Sequence, residues 1–196
     1  MGNLHSVAKA LEQVGARVHV SSEPAHVARA RGIVLPGVGA FGEAVRNLAA
    51  TGCREVLIER IAAGAPFLGI CLGLQLLVPT SEENPGQPGL AILPGRCRRF
   101  ANGKKVPHIG WNEIEFAPGH PLLAGIPSGT HFYFVHSYYV ETDRPEDTAA
   151  RCDYGGECFT AVAARDRVFA VQFHPEKSQR MGLRLLSNFV RWVQAG

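Results

Sequence analysis

The stretch Pro66-Phe67-Leu68-Gly69-Ile70-Cys71-Leu72-Gly73-Leu74-Gln75 decides the fold, because its character changes in the middle. Pro66 to Ile70 is apolar throughout and reads as a buried strand. A helical stretch follows, and Cys71 stands at the junction with a glycine two residues away on either side. A strand that turns into a helix so abruptly forces strained backbone angles and brings neighbouring chain close, so small residues must flank the turn. This is the nucleophile-elbow pattern with Cys in place of Ser. The geometry puts the sulfur at a helix N-terminus, where the dipole favours thiolate, and leaves the N–H of Leu72 free to serve an oxyanion. A cysteine without these neighbours reads as one more small buried apolar residue. The paired glycines and the strand-helix context make Cys71 a candidate nucleophile.

Upstream, Leu4, Val7, Leu11 and Val14 recur at helical spacing, and Arg17 to Val20 reads as a short strand. A second strand, Gly32 to Leu35, runs into Pro36-Gly37-Val38-Gly39. Helical stretches follow through Ala44 to Leu48 and from Arg54 to Ala63, the latter stopped by Gly64. Strands alternating with helices predict an α/β fold, an open, mostly parallel twisted sheet flanked by helices. After about residue 90 the strand candidates crowd together: Cys97 to Phe100, Glu113 to Phe116, His131 to Val140, Cys158 to Ala164 and Val168 to Phe173. They predict an antiparallel extension in the second half. Ser178 to Val193 closes the chain as an amphipathic helix with Leu183, Leu186, Val190 and Val193 on one face. No linker, repeat or low-complexity segment interrupts the chain, so one domain over residues 1–196 is expected.

With 46% hydrophobic and 19% charged residues, the chain has the means to bury a full core. Its formal charge of +3 is scattered rather than clustered, which argues against a nucleic-acid partner. No apolar stretch approaches the roughly 18 residues needed to span a bilayer, so no membrane partner is expected either. The five cysteines are odd in number and lack CxxC spacing, which argues against a disulfide framework and a zinc knuckle. A cytoplasmic location, reducing enough to leave thiols available for chemistry, and the absence of any metal or cofactor are the resulting expectations.

A thiolate working in acyl transfer needs a base to shuttle protons and a group to orient that base. His174-Pro175-Glu176 supplies both at the end of the strand Val168 to Phe173, with proline fixing the chain between imidazole and carboxylate. Taken alone, the tripeptide is a loop with a surface glutamate. His5, His19, His26 and His120 read as surface or capping residues, and His131 as either surface or site. His108 and His136 lie in Val106-Pro107-His108-Ile109-Gly110-Trp111-Asn112 and Tyr133-Phe134-Val135-His136-Ser137-Tyr138, where clustered aromatics more often mark core than site.

Gly69 to Gln75 and His174-Pro175-Glu176 together resemble the triad, or class I, glutamine amidotransferases, over nearly the whole chain. Gly2-Asn3-Leu4-His5-Ser6, Leu35 to Gly42, Val106 to Asn112 and His174 to Ser178 resemble more particularly the glutaminase subunits of imidazole glycerol phosphate synthase, from histidine biosynthesis. The resemblance implies that Cys71 attacks the side-chain amide of L-glutamine, that His174 passes the proton to departing ammonia, and that Glu176 orients His174. It places the oxyanion on the N–H of Leu72 and on a backbone N–H from Gly37-Val38-Gly39. It assigns glutamine binding to Gln75, Glu83 and the backbone of Ser137 and Tyr138, and it turns Asn3 and Trp111 toward a partner. That partner is a (β/α)8-barrel cyclase in a heterodimer. In one respect the chain departs from the family: the strand that normally precedes Gly2-Asn3 is missing, which implies that Met1 is an internal residue.

Three other readings compete. A glutaminase subunit of anthranilate, aminodeoxychorismate or pyridoxal phosphate synthesis is opposed by Pro107 to Asn112 and by Lys177-Ser178. A cysteine peptidase or deglycase on a similar elbow usually has its histidine soon after the cysteine, whereas here 103 residues separate Cys71 from His174. A non-enzymatic glutamine-binding scaffold predicts an incomplete triad, and all three members are present.

Overall fold

The structure, a computed structural model, describes residues 2–101 and 103–195, apart from the side chains of Gly2 and Asn3. Helices α1 (Gly2–Gln13) and α2 (Pro24–Arg29) precede strand β1 (Ile33–Gly37). Then come α3 (Phe41–Ala50), α4 (Cys53–Ala62), β2 (Phe67–Cys71) and the single turn α5 (Leu72–Gln75). The second half is strand-rich: β3 (Thr80–Ser81), β4 (Gly95–Arg99), β5 (His108–Ile114), β6 (Thr130–His136), β7 (Tyr138–Thr142), β8 (Thr148–Tyr154), β9 (Glu157–Arg165) and β10 (Val168–Val171). Helix α6 (Gln179–Ala195) follows them.

The main sheet has the order β1-β2-β10-β9-β7-β4-β3, with β8 also paired to β9. β1, β2 and β10 are parallel neighbours, while β9 and β7 are antiparallel additions beside them. β5 and β6 form a separate antiparallel hairpin. The anticipated α/β architecture with its antiparallel extension is therefore present, and the parallel part is limited to β1, β2 and β10 with the short β3–β4 pair.

Every residue of β2 is buried, as a central strand covered on two faces demands. Its Leu68 and Ile70, with Phe169 and Val171 of β10, face a core completed by Val7 and Leu11 of α1 and by Leu185, Leu186 and Phe189 of α6. Phe67, Val168 and Ala170 face the opposite core, built on Leu57, Leu74 and Leu77. On α6 the stripe centres on Leu185, Leu186, Phe189 and Val190, with Leu183 and Val193 only partly buried at its margins. The expected strand His131 to Val140 is two strands broken at Ser137, and β3, β8 and α2 arise where no element was anticipated.

Arg17 to Val20, expected as a strand, is not one. A strand needs a neighbour to complete its hydrogen bonds, and β1 is paired on one side only, with β2. Between that open edge and residues 17–20 lies a cavity of about 780 Å³. Its lining is mixed, with Val7, Leu11, Ile33 and Val190 beside Arg17 and Arg31. Among the described residues no helix is long and apolar enough to cross a membrane.

Candidate active site

Three adjacent parallel strands deliver the site from their C-terminal ends, where open α/β sheets place their ligands. β1 ends at Gly37, in register with Cys71 at the end of β2, and β10 ends three residues before His174. Cys71 carries φ 54° and ψ −104°, a strained conformation for a residue with a side chain, as the elbow requires. The glycines are there because neighbouring chain lies against them. A Cβ on Gly73 would be driven into the carbonyl oxygen of Leu35, and one on Gly69 would lie 2.9 Å from the carbonyl of Gly73 and 3.0 Å from Ala170. The helix after the elbow is only the four residues of α5, so its dipole is that of a single turn rather than of a full helix.

The side chains of His174 and Glu176 are fully buried, and His174 Nδ1 donates to Glu176 Oε1 at 2.8 Å. With Nδ1 so committed, Nε2 is the ring nitrogen left for the interaction with Cys71. Burial alone would lower the His174 pKa. The hydrogen bonds and charge of Cys71 and Glu176 outweigh it and raise the group to about 9, so the imidazolium form prevails at neutral pH.

The backbone around the base is also fixed. His174 N–H donates to the carbonyl of Tyr133 at 2.9 Å. Ser178 Oγ donates to the His174 carbonyl at 2.7 Å and accepts the Tyr133 N–H at 3.0 Å. Strand β6 thus runs alongside the triad, and the Cys71 thiol points at the Val135 carbonyl, 3.9 Å away. Gln172, two residues before the base and wholly buried, donates from Nε2 to Cys71 Sγ at 3.7 Å. The sequence signal for Gln172 was a lone amide between apolar residues of a buried strand.

Gln75 and Tyr138 are brought together, Nε2 of the one donating to the carbonyl of the other at 2.8 Å. The Ser137 carbonyl accepts the N–H of Phe100. Glu83 is elsewhere engaged, its Oε2 accepting the Phe41 N–H at 2.7 Å at the start of α3. Leu72 is buried beneath the Gly37 end of β1, while Val38 is half exposed. Trp111 and Ile109 are exposed on the outer face of the hairpin, and Lys177 stands over the ring of Tyr133 beside Trp111. The side chain of Asn3 lies outside the described residues. His120 caps a short helical turn by accepting the Leu122 N–H, in keeping with its reading as a capping residue.

A cysteine elbow with this base and carboxylate is the equipment of the class I glutamine amidotransferases, and the model of that family matches residues 1–192. The chain belongs to this family. Its relatives include the imidazole glycerol phosphate synthase subunit HisH of Microcystis aeruginosa, 50% identical over 99% of this chain and 92% of that protein. The same subunit from Gloeobacter violaceus is 50% identical over 97% and 85%. Among solved structures, a glutamine amidotransferase superposes with TM-score 0.78 at 20% identity, covering 98% of this chain and 95% of the other. The glutaminase domain of Trypanosoma brucei CTPS, with bound acivicin, does so with TM-score 0.66 at 19% identity over 95% and 88%. At those identities the likeness is one of fold.

Proposed function

We propose that this chain is the glutaminase subunit of an imidazole glycerol phosphate synthase, acting in histidine biosynthesis. The observation that carries the reading is the strained Cys71 elbow together with the buried His174–Glu176 pair just beyond the end of the neighbouring strand β10. The near-complete coverage of the HisH relatives selects this synthase over those of anthranilate, aminodeoxychorismate or pyridoxal phosphate formation.

In this mechanism the Cys71 thiolate attacks the side-chain amide carbon of L-glutamine, and the developing oxyanion is met by the N–H of Leu72 and one from Gly37-Val38-Gly39. His174, already protonated, gives its proton to the departing ammonia. Water, deprotonated by the now neutral His174, then cleaves the thioester and releases glutamate. Glu176 holds the imidazole in the orientation both steps need. Gln75, Glu83 and the backbone of Ser137 and Tyr138 hold the glutamine, with Glu83 released from the Phe41 N–H as substrate enters. No metal or cofactor takes part.

The partner is a (β/α)8-barrel cyclase in a heterodimer, and Trp111 and Asn3 are the residues assigned to meet it. The free thiols suit a cytoplasmic setting. Ammonia passes to the cyclase and is combined with a phosphoribulosyl-aminoimidazole-carboxamide nucleotide. Co-purification with the candidate cyclase, followed by a glutaminase assay with and without that nucleotide, tests the reading. Failure to bind the cyclase, or no glutamate release from the complex, overturns it.

A further inference from the structure

His108 and His136 are paired across the β5–β6 hairpin, both buried, and neither belongs to the triad. Their protons can be assigned one by one. A carbonyl only accepts, so His136 must present Nδ1–H to Tyr138 O, 2.8 Å away. Its Nε2 is then an acceptor, and the contact at 3.2 Å with His108 Nδ1 requires the latter to carry a hydrogen. His108 Nε2 accepts in turn from Asn112 Nδ2 at 3.4 Å. The sense of that amide is fixed independently: Nδ2 donates to Asp153 O at 2.8 Å, and Oδ1 accepts the Glu113 N–H at 2.9 Å. Two carbonyls therefore anchor a chain of one-way hydrogen bonds through two neutral imidazoles.

The near end of this chain reaches the nucleophile. Tyr138 O also takes the Gln75 amide at 2.8 Å, Gln75 Nε2 lies 3.5 Å from Gln172 Oε1, and Gln172 Nε2 then points at Cys71 Sγ. The far end is Asn112, next to exposed Trp111. We propose that His136 and His108 are positioning residues, a proton-ordered neutral pair that ties the hairpin to the Tyr138 carbonyl and so holds Gln75 against Gln172, whose amide is aimed at Cys71. The proposal rests on the glutaminase reading above for its catalytic consequence, but not for its proton order.

The surroundings favour neutrality. Rings of Phe100, Phe134 and Phe159 enclose His136, and His108 is stacked between Tyr154 and Phe134. Burial lowers His108 to about 4 and His136 to about 3, the latter with smaller contributions from the charges of His108 and His174 against the hydrogen bond to Tyr138. A proton added to His136 Nε2 would face the His108 N–H, donor against donor.

The experiment has two readouts on the 196-residue chain. Long-range proton–nitrogen NMR with labelled histidine, at neutral pH, is expected to show both rings neutral with hydrogen on Nδ1. An imidazolium, or a hydrogen on Nε2 of either ring, overturns the proton order. His136→Phe keeps an aromatic ring but removes the donor to Tyr138, whereas His136→Asn restores an N–H close to the position of Nδ1. Loss of one hydrogen bond corresponds to about a two- to ten-fold effect. His136→Phe is expected to lower both kcat and the rate of Cys71 alkylation by iodoacetamide by that factor, with a rise in KM for glutamine no larger than that, and His136→Asn to recover most of it. Unchanged kcat and alkylation in His136→Phe, or no recovery in His136→Asn, overturns the positioning role. If His136→Phe fails to fold, the NMR result still decides the proton order and the Asn variant the role. Absence of glutaminase activity from wild-type chain and cyclase together, with the alkylation changes intact, would count against the functional reading instead.

Discussion

Replacing Gly37 with alanine puts a methyl group where β1 meets the elbow. The new Cβ would lie 2.8 Å from Cβ of Leu72 and 3.2 Å from its Cγ and Cδ2. Gly37 has no positive φ, so its backbone accepts alanine and the whole effect is steric. Leu72 has little room to retreat, because it is buried and packed with Phe41 and Leu76. Such overpacking costs about 1–3 kcal/mol of stability. Relief has to come from the two segments assigned to the oxyanion, the Leu72 N–H and the Gly37–Gly39 peptides. Loss of one oxyanion donor costs about 2.7–4 kcal/mol, or roughly a hundred- to a thousand-fold in rate. We expect Gly37→Ala to lower kcat toward the hundred-fold end of that range in the nucleotide-bound complex, with KM for glutamine little changed. Gly39→Ala is the control: its methyl meets no atom within 4 Å, but φ is +107°, so its cost is backbone strain of about 1–3 kcal/mol. Glutamate release measured at saturating glutamine, alongside thermal unfolding, separates these effects. A Gly37→Ala complex with full kcat and full nucleotide activation would refute the assignment of both segments.

Cys71→Ser is expected to abolish glutaminase activity with the fold intact, and a glutamine-like electrophile should label Cys71 and spare Cys53, Cys97, Cys152 and even exposed Cys158, as peptide mass spectrometry will tell. His174 is raised in the folded state from 6.5 to about 9, so its contribution to stability is fully present below pH 6.5 and is lost as pH rises through about 9. Urea unfolding at pH 7 and pH 9.5 should show that loss in wild-type chain and much less of it in Cys71→Ala, which lacks the sulfur that helps to raise His174. The isolated subunit is expected to be a poor glutaminase, activated by cyclase plus nucleotide roughly a hundred- to a thousand-fold, mainly in kcat; equal turnover by subunit and complex would end the gating idea. A chain extended at its N-terminus by an apolar strand is expected to unfold at higher temperature by occupying the cavity beside β1, and an unchanged melting temperature would show that the cavity is no strand site.

What could be read in advance was whatever is encoded locally. Cys71 and its glycines announce a strained turn, because the reason for each glycine is a neighbour within a few residues or on the next strand. His174-Pro175-Glu176 was equally legible, since imidazole and carboxylate are two residues apart. The supports of the site were not. Gln172 meets Cys71 across 101 residues and His108 meets His136 across 28, separations that leave no periodic trace. Arg17 to Val20 misled for the opposite reason: its composition suits a strand, but strand formation depends on a neighbour that the described residues do not supply.

The order of strands in the main sheet has a consequence for biosynthesis of the protein itself. β10 is inserted between β2 and β9, so the nucleophile, complete by residue 71, has no base beside it until residues 168–176 have been made and docked. Pairings between such distant segments form slowly, after the loops between them have closed. A nascent or truncated chain accordingly holds an elbow without a base. Truncation anywhere before β10 is therefore expected to remove His174 and Glu176 together and to leave the elbow with no imidazole to serve it.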